Sequence, residues 1–408
     1  MNRACDRFLI SLVGLLFVFT VQAAPKKPQP VAKAVAPEQV EIKLDKLAIG
    51  YLTRETNNPL VQAFFVPVAK DKGFQGARLG ITDNNTTGRF TQQAYTLKEV
   101  VLASDADATI AFKQLIAEGY RHILVNLPAE VVGAISKLPE ARNILIYDIG
   151  STDDRLRGGT CAPNVLHLLP SRAMRADALA QYLAKKRWQR LFLVVGANEQ
   201  DALYAAAIKR AAQRFGLKIV AEKPWQHTFE ERRTPESEIA VFTQGSDYDV
   251  LIVADETGTF GDYLPYRTWL PRPVAGTQGL IPSAWHHTHE QWGAIQLQKR
   301  FREQSGRWMS EEDYAAWLAV RAIGEAATRR KSMEFDQVKA FMLGDEFALA
   351  GFKGVPLSFR RWDGQLRQPV LLASDRALVA VAPIEGFLHP KNELDTLGYD
   401  EAETPCHF

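Results

Sequence analysis

Short apolar runs alternate with amphipathic stretches along almost the whole chain, and this alternation limits the fold more than any other feature. "KLAIGYL" (46–52), "ARLGITD" (77–83), "HILVNL" (122–127) and "NILIYDIG" (143–150) read as strands bounded by turn residues. Between them "TIAFKQLIAEGY" (109–120) has helical spacing and a C-cap signal at Gly119. After "NVLHLLP" (164–170) the pattern restarts: the helix "SRAMRADALAQYLAKKRW", the strand "RLFLVVG", the helix "DALYAAAIKRAAQRFG", then "KIVAEKPW", "DVLIVADE" and "RPVAGTQG". Continuous apolar strands interleaved with helices predict parallel sheets covered on both faces. Two successive sets of strands, broken near 150–165, predict two α/β lobes. A helical block follows, with "HEQWGAIQLQKRFREQSG", "SEEDYAAWLAVRAIGEAATRR" and "FDQVKAFMLG", and then strand-like "PLSFRRWDGQLRQPVLLAS" and "ALVAVAP". That order predicts a chain that returns to each lobe in turn.

The N-terminus sets the expected compartment. Arg3 and Arg7 precede an apolar run from Phe8 to Val21, closed by Val21-Gln22-Ala23. A basic start, a short apolar core and a small-residue end predict a signal peptide over 1–24, cleaved near Ala23 or Ala24. The run is shorter than the roughly 20 residues that a bilayer core requires. Residues 25–44 begin with Pro, Lys and Ala and read as a disordered leader. Cys5 leaves with the signal, so Cys161 and Cys406 remain in an oxidising space, where a disulfide between them is expected over two free thiols. Forty-nine basic against 47 acidic side chains give a net charge of +2, which implies no field for a polyanion such as nucleic acid.

Several segments, in this order and spacing, resemble one family. They are "IGYLTRETNNPL", "ARLGITDNNTTG", "FKQLIAEGYRHILVNLPAEVVGAIS", "NVLHLLPSRAMRADALAQYLAKKRWQRLFLVVG", "DYAAWLAVRAIGEA" and "FKGVPLSFRRWDGQLRQP". Over about 45–385 the chain resembles the type I periplasmic solute-binding proteins, the branched-chain amino acid and amide receptors of ABC transport. "DYLPYRTWLPRPVAGTQGL", "FRRWDGQLRQPVLLA" and the tail "ELDTLGYDEAETPC" resemble, more narrowly, a subfamily associated with PQQ-dependent alcohol dehydrogenase systems. The resemblance implies an α/β fold of two Rossmann-like lobes, each a parallel sheet flanked by helices, joined by a three-segment hinge. The expected division puts 45–163 and 283–350 in lobe one and 164–282 and 351–385 in lobe two. The tail, 386–408, is tied back by the disulfide.

Such a fold captures its ligand by hinge closure, and ligand groups sit beyond the carboxyl ends of the strands. In lobe one the loops after strands offer Arg54, Asn84, Asn85, Asn126 and Gly150-Ser151-Thr152; in lobe two they offer Gln200, Asp201, Asp255, Glu256 and Gln278. Ser171 and Arg172 stand where the chain enters the second lobe's first helix. Ser171 reads as an N-cap whose helix end holds an anion nearby, or as a cap alone. Amino acid receptors of the family commonly carry an acid at the "GTQG" turn, where this chain has neutral Gln278; Asp255 or Glu256 are the possible substitutes.

PQQ is a flat aromatic tricarboxylate, and a site for it needs guanidinium groups and aromatic faces. Arg54, Arg172, Arg267, Trp269 and Trp285 are the candidates, whereas Trp292 and Trp317 read as core. His286, His287 and His289 read as a polar helix start beside the hinge, not as metal ligands, since no H-E-x-x-H spacing accompanies them. No G-x-S-x-G elbow or P-loop occurs in the sequence. The expectation is therefore a monomeric, non-enzymatic binding protein with PQQ as ligand, supplying an ABC permease or a PQQ-dependent dehydrogenase. The alternatives are an amino acid or amide receptor, and a non-transport accessory of a dehydrogenase system.

Overall fold

The computed structural model describes residues 44–55, 69–225, 235–406 and 408, with residues 235–237 by backbone alone. The expected signal peptide and nearly all of the leader lie outside the described residues.

The first sheet holds five parallel strands, β1 (Asp45–Arg54), β2 (Gln93–Leu102), β3 (His122–Asn126), β4 (Leu145–Asp148) and β5 (Val165–His167), in the order β2-β1-β3-β4-β5. Helices α1 (Phe74–Thr91), α2 (Ala108–Ala117) and α3 (Ala129–Ser136) connect them. The central strands are apolar throughout because both faces are covered. Tyr51, Leu124 and Tyr147 belong to a core on one face, and Leu52, Ile123, Val125 and Ile146 to a core on the other.

The second sheet is β7-β6-β8-β9, again parallel, from β6 (Arg190–Val195), β7 (Lys218–Pro224), β8 (Val250–Ala254) and β9 (Val274–Gly276). On one face it packs against α4 (Arg172–Lys186) and α5 (Glu199–Arg214). On the other it buries Trp225, Ile239, Phe260 and Leu264, with Ile239 contributed by α6 (Pro235–Phe242).

The chain then returns. β10 (Ile281–Ser283) ends in the second lobe, and Ala284 and Trp285 enter the first core, followed by α7 (Ala294–Ser305), α8 (Glu311–Arg330) and α9 (Phe335–Met342). β11 (Leu349–Ala350), β12 (Pro356–Phe359) and β13 (Leu366–Arg367) stay with that core. β14 (Val370–Ser374) and β15 (Ala377–Ala382) complete a small antiparallel sheet with β10 beside the second core. The two lobes and three crossings are thus present, with corrected boundaries. β5 pairs with β4, and Leu168 and Leu169 lie in the first core, so the first crossing falls at 170–173 and not at 163/164. Leu357, Phe359 and Leu366 also lie in the first core, which moves the third crossing from 350/351 to 367–369.

"ARLGITD" is the other correction: 77–83 lies inside α1, so Asn84 and Asn85 do not follow a strand. A stripe of Gly76, Gly80, Asn84 and Gly88 is buried on α1. A Cβ on Gly80 would come within 2.8 Å of Val320 Cβ, and one on Gly76 would strike the Asp313 backbone. The small residues let α1 and α8 approach closely, and that packing overrides the low helix propensity of glycine.

Candidate functional site

A cleft lies between the lobes, over the ends of β4, β8 and β9. Its larger chamber, about 350 Å³, is walled by Gly150, Thr152 and Leu169 from the first lobe and by Asp255, Glu256, Thr277 and Gln278 from the second. A second chamber of about 270 Å³ shares Gly150, Thr152 and Glu256 with it and extends to Pro128, Arg155 and Arg172. Both volumes together suit a small organic ligand.

Each wall is shaped by a buried carboxylate. Asp148 ends β4 and accepts the backbone N–H of Ser151 at 2.9 Å, while its other oxygen meets His167 Nδ1 at 2.9 Å. This fixes the turn that carries Gly150 to Thr152. On the opposite wall Asp255 accepts the N–H groups of Thr259, Phe260 and Gly261 at 3.0, 2.8 and 2.7 Å. The next residue, Glu256, is thereby left to face the cleft.

The cations of the cleft are already paired. Arg172 grips Glu256 through Nε and Nη2, the latter at 2.6 Å, and its Nη1 lies 3.6 Å from Asp153 with no hydrogen-bond partner. Burial opposes the Arg172 charge, but the Glu256 hydrogen bonds hold its pKa above the ordinary value. Arg175, on α4, reaches across the hinge to Glu311 at the start of α8, with both N–O distances near 3 Å (3.1 and 2.9 Å). Arg155 binds Asp153 and Glu130 within the first lobe and Glu199 in the second at 3.4 Å. Three arginines thus face six carboxylates, Glu130, Asp153, Asp255, Glu256, Glu311 and Glu312, along the two chambers. Tyr204, from α5, also lines the larger chamber; its hydroxyl is buried without a partner, and burial pushes its pKa well up.

Of the residues expected in the site, Gly150, Ser151, Thr152, Arg172, Asp255, Glu256 and Gln278 line the chambers. Gln278 is held by Thr277 and the Asp255 carbonyl. Asn126 stands just behind: a Cβ on Gly150 would strike its side chain, so it supports the loop without forming the wall. Ser171 is the N-cap of α4, accepting the Met174 N–H, and is buried. Arg54 is displaced because β1 lies two strands from β4; its guanidinium donates to the Ala106 carbonyl at 2.7 Å. Trp285 is 2% exposed and stacks on Tyr314 at 4.3 Å, which makes it core. Arg267 and the 59%-exposed Trp269 follow the short turn Gly261–Tyr263 and line neither chamber. The set of free guanidinium and aromatic groups that a flat tricarboxylate requires is therefore not assembled here.

Arg175, Tyr204, Glu311 and Glu312 escape a search of strand ends because they come from helices. The usable signal was a charged residue in the first turn of a helix that adjoins a crossing. The histidines form a turn before α7, not a helix start, and have separate partners: Thr288 for His286, Trp308 for His287 and the Phe352 carbonyl for His289. Among the described residues no group of three His, Cys, Asp or Glu is placed to hold a metal, and no helix is long and apolar enough to cross a membrane.

This architecture is that of the type I periplasmic binding proteins. Residues 75–231 match the family described as periplasmic binding protein. The structure is similar to a branched chain amino acid ABC transporter periplasmic ligand-binding protein from Burkholderia xenovorans, with a TM-score of 0.70 and 16% identity over 88% of this chain and 99% of that one. It is also similar to a leucine-, isoleucine-, valine-, threonine- and alanine-binding protein from Brucella ovis, with a TM-score of 0.62 and 16% identity over 83% and 92% of the two chains. A third likeness is to an ABC transporter solute-binding protein of R. palustris in complex with benzoate, with a TM-score of 0.64 and 13% identity over 89% and 100%. No curated protein sequence matches the chain.

Proposed function

We propose that this protein is the solute receptor of an ABC importer, working in the periplasm, and that it captures a small amine-bearing ligand such as an amino acid or its amide. The observation that carries this reading is the charge of the cleft: six carboxylates against three arginines, each of which is already paired. An ammonium entering this space gains charge-assisted bonds from Glu256 or Glu312 by sharing carboxylates that Arg172 and, at 3.5 Å, Lys72 already approach. A polycarboxylate could reach the unpartnered Nη1 of Arg172, but only beside the carboxylates of Glu256 and Asp153, whose like charge opposes it. The neutral Gln278 does not count against an amine, because the acid stands on the neighbouring loop as Glu256. Similarity to receptors described as binding branched-chain amino acids supports the same reading.

A melting-curve screen tests it. An amino acid or amide at a hundred times its Kd adds about 2.7 kcal/mol to stability, and Glu256→Gln should abolish that gain. Stabilisation by benzoate or PQQ with none by any amine would reverse the assignment. Silence from every compound would favour an accessory role without a small ligand.

A further inference from the structure

The C-terminal tail contacts both lobes, and its last anchor leads to the binding loop. Its first part docks on the second lobe, while Asp395 pairs with Arg360 and Arg367 beside the first-lobe strands β12 and β13 at 2.9 and 2.8 Å. Phe387 meets Phe215 edge to face at 5.6 Å, and Leu397 enters the second core. Gly398 donates its N–H to Asp177 of α4 at 2.9 Å, and its carbonyl accepts from Arg210 and Arg214 of α5 at 2.7 and 2.6 Å. Six residues later the tail meets the first lobe again, beside Arg157. Thr404 is buried and donates its hydroxyl to the Arg157 carbonyl at 2.8 Å, and the fully buried Cys406 is bonded to Cys161.

Arg157 is the link between that anchor and the cleft. It is 3% exposed, and its guanidinium donates to the carbonyls of Asp153 at 2.9 Å, Ser151 at 3.0 Å and Leu169 at 3.1 Å. All three accepting residues line the chambers. Its Nε donates to Gln365 Oε1 at 2.9 Å, next to the third crossing. Among the described residues no carboxylate hydrogen-bonds this guanidinium, and three of its bonds go to the shape of the backbone.

We infer that the tail is a fourth connection between the lobes, closed covalently at Cys161–Cys406, and that through Arg157 it holds the binding loop Gly150–Asp153 in its ligand-ready form. Arg157 is thus a positioning residue, and ligand affinity depends on the redox state of a bond outside the cleft. The loop's part in capture rests on the function proposed above, but its immobilisation by the tail is independent of any ligand.

Hydrogen exchange on the full chain, oxidised and reduced, separates the two. Reduction, or the Cys161→Ser/Cys406→Ser pair, should speed exchange of the amides at 150–153 at least tenfold. The amides at 259–261 in the second lobe should keep their rates. Thr404→Val, which leaves the disulfide intact, should produce a smaller acceleration at the same amides. Unchanged exchange at 150–153 after reduction would overturn the inference. Equal acceleration in both lobes would also overturn it, because the bond would then only stabilise the whole fold. For an amine found to bind in the melting screen, the cysteine variant should weaken Kd about tenfold through faster release, and an unaltered Kd would remove the link to affinity. If no amine binds, the functional proposal fails while the exchange result still decides the role of the tail.

Discussion

The two walls of the cleft are built by different means. The second-lobe loop is organised mainly from nearby: Asp255 gathers residues 257–261 through bonds that span six positions or fewer, with Asp201 adding one bond from the Glu256 N–H at 2.7 Å. The first-lobe loop is held partly from a distance, by Arg157, by Asp148 with His167, and by a tail that begins more than 200 residues later. A wall organised mainly by one carboxylate depends most on that residue. A wall held by remote groups is sensitive to events elsewhere in the chain. The contrast teaches that one lobe supplies a fixed jaw and the other an adjustable one.

The largest effect should come from removing the local organiser. Asp255→Ala leaves two buried N–H groups and one half-buried one without an acceptor and should lower stability by about 3 kcal/mol, read as a shifted denaturation midpoint. A shift under a third of that would break the idea that Asp255 is the main organiser of this wall.

Glycines on the two walls should differ next. Gly276 has φ of 113°, and an added Cβ would meet the Val253 backbone. Gly276→Ala should cost about 2 kcal/mol with no simple rescue. Gly150→Ala should cost about 1 kcal/mol, because what it meets is the Asn126 side chain, and Asn126→Ala in the same protein should restore most of the loss. Equal penalties without rescue would show that both loops are equally rigid.

The smallest effect, nil at neutral pH, concerns the first lobe alone. His122 is buried on β3 beside Tyr147, and burial, helped by the charge of Arg121, pushes its pKa down to about 3. In the unfolded chain it titrates near 6.5. Between these values the unfolded state binds the extra proton, so the contribution is complete above about pH 6.5 and is lost as pH falls towards 3. His122→Gln should flatten that part of the stability profile, and an unchanged acid limb would show that other groups set it.

The strands that a reader of the sequence can find are those covered on both faces. β1, β3, β4, β6 and β8 are apolar runs because helices lie on either side of their sheets. β2 was missed because it is an edge strand of mixed polarity, mostly half-buried. α1 reads as a strand because its contact with α8 needs glycine, a residue that local propensity sets against helices, although Gly76 and Gly80 stand four residues apart on the face that meets α8. The same division runs through the site. Gly150, Thr152, Asp255, Glu256 and Gln278 follow strands and obey the strand-end rule. Arg175, Tyr204 and Glu311 arrive from helices whose orientation only tertiary packing reveals. Arg54 obeyed the rule and still missed the cleft, because strand order, which one sequence does not disclose, put β1 beside β2 and β3.

The interleaving of the chain also governs when it finishes folding. α8 fills much of the first core, and β14 and β15 close the second, so both lobes wait for segments beyond residue 310. A nascent chain therefore keeps apolar surface uncovered in both halves until its final hundred residues arrive. Helper proteins that shield such surface would find it on nearly every shorter length of this polypeptide.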